Sequence, residues 1–526
     1  MKKNKRTIFL GVLTTMIVFA SCVKDLDRVP YYEVTSATVY NDAANYKSIL
    51  AKVYAGLALS GQQGPAGKAD ISGIDEGFST YLRQYYKAQE LTTDEAVIGW
   101  NDGSIKDYHD MKWTSANEFI AAMYYRIFYQ ITLCNEFIRE TTDEKLASRG
   151  LSGDANIKAY RAEARFLRAL SYWHALDMFG NVPFVTEKDA LGAFLPTQTS
   201  RTALFSYIET ELKEVETLLV DPKKNEYGRA DKAAAWTLLA KLYLNAEVYT
   251  AQSKATECIT YCNKVMGAGY TLESSYENLF KIGNDKSNEV IFAIRFDGIH
   301  SKTWGGMTFL VHAPVGGTMK AADFGINGGW GGLRTTKNLV GLFSDPSGKT
   351  DTRAMFYTDG QTLDIDDISE FKQGYAIAKY KNVDAAGKPG SDPEGNFPDT
   401  DFPMFRLADV HLMYAEAVLR GGTGGTQATA LQYVNSLRQR AYKGTSGNLT
   451  AITLNDILNE RGRELYWECH RRTDLIRFKK FTTGDYLWQL KGGVKVGRAV
   501  ADYFNLFPIP AADVVANPNL KQNTGY

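Results

Sequence analysis

The stretch AYRAEARFLRALSYWHALDMFGNVPFV, residues 159–185, constrains the fold more than any other part of the chain. Ala162, Phe166, Ala169, Trp173 and Leu176 recur at steps of four and three, which puts them on one helical face. Leu167 and Leu170 widen that stripe, so neighbours must cover the helix on more than one side. The alanines admit a partner helix closely, while Phe166 and Trp173 fill the space beside them. Gly180 can take the left-handed conformation that closes a helix, and Pro183 forbids continuation. Arg161, Arg165 and Arg168 form a basic row, either solvated or paired with a neighbouring helix. This is a scaffold helix.

Other segments have the same character. Ser115 to Glu140 carries Phe119, Met123, Ile127, Ile131 and Cys134 in register, and Ser200 to Leu219 is capped at Thr199 or Ser200. Asp231 to Tyr249 with Ser253 to Met266, and Arg406 to Leu419 with Gln427 to Tyr442, read as helical hairpins. Leu239-Ala240-Lys241-Leu242-Tyr243 echoes Arg168-Ala169-Leu170-Ser171-Tyr172 at a separation of 71 residues, about two tetratricopeptide periods. Stacked hairpins of this kind bury a continuous core only when several units associate. Between them, Asn284 to Pro403 changes character. Glu289 to Phe296 is strand-like, and WGGM, PVGG and GINGGWGGL follow, so the segment reads as a large irregular insertion on the helical scaffold.

The first residues, MKKNKRTIFLGVLTTMIVFASC, combine a basic start, an apolar run from Ile8 to Ala20 and a small residue before Cys22. That is the pattern of a secretory signal, residues 1–21, too short for a spanning helix. Phe19-Ala20-Ser21-Cys22 resembles a bacterial lipobox, in which the cysteine is lipidated. Val23 to Ser36 then reads as an extended tether. Net charge is zero over 526 residues, and without the signal the balance is 56 basic to 60 acidic. No basic tract remains that would suit nucleic acid. Cys134, Cys258, Cys262 and Cys469 have no metal-site spacing and read as buried free thiols.

Residues 459–481, NERGRELYWECHRRTDLIRFKKF, crowd acids and arginines onto what reads as one helix. Arg461–Glu464, Glu468 with Arg471 or Arg472, and Asp474–Arg477 fall at the spacing where side chains meet. Glu464, Glu468 and His470 match no zinc motif, and arginine neighbours would keep both acids ionised. The block reads as a structural ion-pair network. No nucleophile elbow, P-loop or HExxH helix is present, and Asp364, Asp366 and Asp367 read as a solvated turn.

The tryptophans divide by context. Trp173, Trp236 and Trp467 lie in helical patterns and read as core, and Trp113 precedes a helix start. Trp100 (IGWNDG), Trp304 (KTWGGM) and Trp330 (GGWGGL) lie instead in loops bearing Gly or Asp. Exposed aromatics beside polar groups suit sugars, which present C–H faces for stacking and hydroxyls for hydrogen bonding. Asn101 and Asp102 adjoin Trp100 with such groups.

The scaffold stretch, the block 459–481 and the ending LFPIPAADVVANPNLKQNTGY, residues 506–526, together resemble the SusD/RagB family of outer-membrane lipoproteins. The resemblance implies a mainly α, tetratricopeptide-like fold in one domain, residues 22–526. Its scaffold would occupy residues 37–281 and 404–481, with an insertion over 282–403 and a C-terminal segment over 482–526. It further implies surface capture of an oligosaccharide or polysaccharide without catalysis or cofactor. Delivery would be to a SusC-like TonB-dependent transporter, from a lipid anchor in the outer membrane. By the same resemblance Trp100 stands where relatives carry glycan-contacting aromatics, with Asp75, Tyr81 and Arg83 as further contacts. Capture of peptide, as on the RagB side of the family, and a glycan-cleaving enzyme are the alternatives.

Overall fold

A computed structural model describes residues 39–190, 192 and 194–526. The signal segment, Cys22 and the whole of the tether lie outside the described residues. The chain divides into two units, one up to Tyr46 and one from Lys47 to Tyr526. In the first, Tyr40 and Tyr46 meet edge to face at 5.3 Å, and the Tyr46 hydroxyl donates to the Tyr40 carbonyl.

The second unit is mostly helical. Helix α1, Tyr81–Glu90, is buried along its whole length. Helices α2 (Glu118–Glu140), α3 (Ala155–Phe179), α4 (Arg201–Leu218), α5 (Lys232–Leu244) and α6 (Ala255–Met266) pack each against the next in chain order. The expected scaffold helix is α3. Asp154 caps its first turn by accepting from the Asn156 and Ile157 amides, and Gly180 ends it at φ +73°. Two of its basic row pair with the next helix, whereas Arg161 reaches back to Asp143 at 2.9 Å. Arg165 grips Glu211 with two bonds of 2.8 and 2.7 Å, and Arg168 donates to the same carboxylate at 2.8 Å.

After the insertion the stack resumes. Helix α7, Gly306–His312, belongs to the insertion itself, whereas α8 (Leu407–Leu419) packs on α6 and then on α9 (Gln427–Tyr442). The strand expected over Glu289–Phe296 forms as β2, Val290–Ile294. It lies antiparallel to Phe402–Arg406 (β4), which leads directly into α8. Before β2 comes a two-residue strand, β1 (Val97–Ile98), and between β2 and β4 its partner β3 (Leu333–Arg334). Among the described residues, no helix is long and apolar enough to cross a membrane.

The arginine-rich block differs from expectation in two respects. It forms two helices, α10 (Leu454–Leu465) and α11 (Arg471–Arg477), separated by a turn in which Trp467 and Cys469 have left-handed φ of 62° and 67°. Its ion pairs are also mostly long-range. Glu464 meets Arg406 at 2.6 Å, Arg353 at 3.1 Å, and Arg440. Glu468 binds Arg406 and Lys379, and Arg471 grips Asp94 with bonds of 2.7 and 2.8 Å. Of the expected local pairs, Asp474–Arg477 forms, at 2.7 Å. Burial alone would raise the Glu464 carboxyl, but the three guanidiniums overcome it and hold the group well below the usual range. All these side chains are buried, so the network fixes geometry more than it adds net stability.

The remaining core residues fall largely as expected. Cys134, Cys258, Cys262 and Cys469 are buried free thiols, and Trp113, Trp173, Trp467 and Trp488 are buried. Trp236 is the exception. It is half-exposed on α5, with its indole N–H donating to Glu216 at 2.5 Å.

Candidate functional site

The loop tryptophans come together. The register of β1 on β3 pairs Val97 with Arg334 and Ile98 with Leu333, and the Gly99 amide extends it by donating to the Gly332 carbonyl at 3.0 Å. One more step along that register reaches Gly331, and Trp100 lies beside the residue before it, Trp330, although 230 residues separate the two indoles. Their ring centroids are 6.2 Å apart at 46°, and the Trp100 indole N–H donates to the Trp330 carbonyl at 3.3 Å. Trp304, just ahead of α7, stands 6.4 Å from Trp330 at 49°. Trp330 is therefore the middle ring of three. All three are half-buried, unlike the tryptophans of the core.

Glycine makes this approach possible. A β-carbon on Gly77 would stand 2.9 Å from that of Trp304, and one on Gly329 would meet the Val315 carbonyl at 2.1 Å. Gly331 adopts φ +58°, so the GGWGG segment folds tightly around Trp330.

The rings have a polar frame. Arg83 is buried beneath them, with Nη1 donating to the carbonyls of Gly77 at 2.8 Å and Trp304 at 3.3 Å. Its guanidinium faces Phe78 at 4.3 Å and Phe309 at 4.4 Å, with Trp100 at 5.9 Å. Burial lowers the proton affinity of Arg83, and the carboxylates of Asp102, Asp75 and Glu76 oppose that shift. Asn101 and Asp75 are exposed at the edge of the frame, and Asp102 is half-exposed. Buried Glu76 accepts from Ser60 and, at 3.1 Å, from Thr303, so it ties the early loop to the one carrying Trp304.

Tyr81 departs from expectation. It is fully buried in α1, and its hydroxyl shares a 2.7 Å hydrogen bond with Nδ1 of His174, so it presents no surface to a ligand. Sequence reasoning also missed residues that support the rings. His312 stacks on Trp330, and Phe397 packs on Trp304 at 4.9 Å. His312 ends an apolar run without an aromatic–glycine signature, whereas Phe397, in Gly395-Asn396-Phe397, carries one that was overlooked. Among the described residues, no group of three or more His, Cys, Asp or Glu side chains could hold a metal ion.

Comparison with known proteins gives the chain its relatives. The SusD family model matches residues 357–526, and a second model, described as starch-binding associating with outer membrane, matches residues 26–244. Trp100 lies within the second, whereas Trp304 and Trp330 lie in the stretch that neither covers. The starch-binding protein SusD of Bacteroides thetaiotaomicron is 35% identical, with 96% of each chain aligned. Among solved structures, surface glycan-binding protein A of the same species, in complex with laminarihexaose, superposes with a TM-score of 0.69. Identity is 20%, over 91% of this chain and 99% of that one. A SusD superfamily protein from Bacteroides vulgatus also gives a TM-score of 0.69, at 20% identity over 93% of this chain and 100% of its own. The helical scaffold, the long insertion and full-length similarity to the SusD relative agree: this chain belongs to the SusD family.

Proposed function

We propose that the protein captures oligosaccharides of the starch type on the platform formed by Trp100, Trp330 and Trp304. The observation that carries the reading is the convergence of three half-buried indoles from distant loops. Neighbouring rings are tilted by 46° and 49°, so the three do not form one flat face. Each indole offers a ring for C–H stacking, and Asn101, Asp102 and Asp75 supply hydrogen-bonding groups at the edge. Similarity to a starch-binding relative favours this ligand class.

The site reads as one of capture because its polar groups frame three aromatic rings, with Arg83 buried among them. The reading is capture followed by release, with lipidated Cys22 holding the protein at the outer membrane. Handover would be to a SusC-like TonB-dependent transporter, the partner that family membership suggests.

The test is isothermal titration calorimetry with maltooligosaccharides, laminarioligosaccharides and a mixed peptide library. Saturable binding of the first without product release supports the reading. Binding of peptide alone, or cleavage of the sugar, would replace it.

A further inference from the structure

His312 has an unusual set of neighbours for a residue at the end of a short helix. It is buried, and its ring lies nearly parallel to that of Trp330, at 4.9 Å and 23°. Nδ1 is 2.6 Å from the Gly328 carbonyl and Nε2 is 2.8 Å from the Asn396 carbonyl. The Trp330 amide in turn donates to the His312 carbonyl at 2.9 Å. One residue thus touches the central tryptophan through its ring face, its main chain and the backbone two residues before it.

The second carbonyl leads to the other half of the platform. Asn396 belongs to a turn organised by Asp392, whose carboxylate accepts from the amides of Asn396 at 2.9 Å and Phe397 at 3.0 Å. Phe397 is the residue on which Trp304 rests. The imidazole therefore bridges the loop that bears Trp330 and the turn that supports Trp304. Burial keeps His312 below its ordinary proton affinity, while its two carbonyl neighbours pull the other way. A neutral ring donates to only one of the two carbonyls, and both bonds form together when the ring carries its second proton.

We infer that His312 is the positioning residue of the platform: it sets the pose of Trp330 and thereby joins three separate rings into one continuous surface. The inference rests on the glycan reading above and extends it to selection by chain length. A short oligosaccharide needs one or two rings. A longer one gains from the third only while the middle ring is aligned.

Two measurements on His312→Ala and His312→Phe test this. The first needs no ligand: the tryptophan exciton couplet in circular dichroism reads the mutual orientation of the indoles. In His312→Ala it should fall toward the value of Trp330→Phe, and in His312→Phe, which keeps a stacking ring, it should recover in part. The second is affinity across a ladder of maltooligosaccharides. The gain from the shortest to the longest member should shrink by roughly tenfold in His312→Ala, about the contribution of one stacked ring, whereas a purely structural role would weaken all lengths alike. If His312→Ala does not fold, His312→Phe carries both measurements, with smaller changes in the same direction. An unchanged couplet, or a reduced couplet with the wild-type length dependence, would overturn the inference. If the couplet responds but the wild-type protein binds no maltooligosaccharide, the starch reading fails, and the role of His312 in orienting Trp330 stands.

Discussion

Gly332 and Trp100 occupy each other's space: a β-carbon on Gly332 would lie 2.3 Å from Cε2 of the Trp100 indole. The ring lies flat over the backbone of the β3 approach, and any side chain there must displace it.

Gly332→Ala should therefore act as a remote deletion of Trp100. Glycan affinity should fall about as far as in Trp100→Ala, while overpacking should cost about 1–3 kcal/mol of stability. Calorimetry of the two variants side by side checks this. Wild-type affinity in Gly332→Ala would show that the Trp100 pose is not needed for binding.

Trp100→Ala and Trp330→Ala separate a binding role from a loop-pinning one. Removal of one stacked ring should weaken binding by about 1–3 kcal/mol, on the scale known for aromatic stacking on nucleobases. Because both indoles are half-buried, melting temperatures should stay near wild type. Retained affinity in both, or unfolding of both, would move the site elsewhere.

The buried ion pairs give the opposite pattern. Glu464→Gln would leave Arg353, Arg406 and Arg440 short of a shared carboxylate. Breaking a buried pair in this way costs about 3–5 kcal/mol. Urea denaturation should show that loss, with glycan affinity per folded molecule unchanged.

Stability should respond to pH in two stages. Burial pushes His174 down to about 3 and His411 down to about 4, so the unfolded chain binds more protons at these sites once pH drops below about 6.5. Burial also pushes Asp401 and Glu90 up to about 7, so there the folded chain binds more protons over the same range. The two pairs oppose each other, so their contributions nearly cancel from about pH 6.5 to 4.5. Below that, Glu416 and Glu460 take over. Burial alone would raise them, but Arg477 at the first and Arg353 at the second outweigh it and hold both carboxylates at about 2. Their stabilisation is complete above the unfolded value of about 4.5 and is lost as pH falls toward 2. Asp401→Asn removes one opposing site, so this variant should lose about 1.4 kcal/mol per pH unit on going down from about 6.5. Urea midpoints across the pH range would detect it, and a flat profile in Asp401→Asn would refute the balance.

Anchoring is tested separately. Cys22→Ala should leave a folded protein that no longer sediments with the membrane fraction. Where wild-type protein, solubilised in mild detergent, brings down a β-barrel of TonB-dependent type, Cys22→Ala should show whether that contact needs the anchor. Unchanged membrane retention of the variant would count against lipidation.

Much of the helical scaffold was legible because three- and four-residue spacing survives in any single sequence. The ion-pair network was legible as a composition but not as a set of partners. Arg471 pairs with Asp94, 377 residues away, and Glu464 with arginines from three other segments. Helical spacing pointed instead to local pairs, most of which do not form. Tyr81 misleads for a related reason. YLRQYYKAQE lies in a stretch that reads as loop for want of an apolar stripe, yet it forms a helix whose every residue is buried. The loop tryptophans stood out by their glycine neighbours, but their meeting depends on a two-residue ladder, too short to leave a periodic signal. His312 ends the apolar run MTFLVH and had no local mark at all.

The distance between Asp94 and Arg471 along the chain also bears on how the protein comes to be folded. The core closes through that pair, and through the Trp467 amide donating to Glu95 at 3.0 Å, so its decisive contacts join residues more than 370 positions apart. Contacts of such separation are reached late, because a long loop must first surrender its freedom. Neighbouring helices can pair early and locally, while the charged centre waits for the far end of the chain to arrive. In that interval arginines and carboxylates destined for the interior remain in water, which makes the unfinished chain more soluble than an equally large apolar core would be.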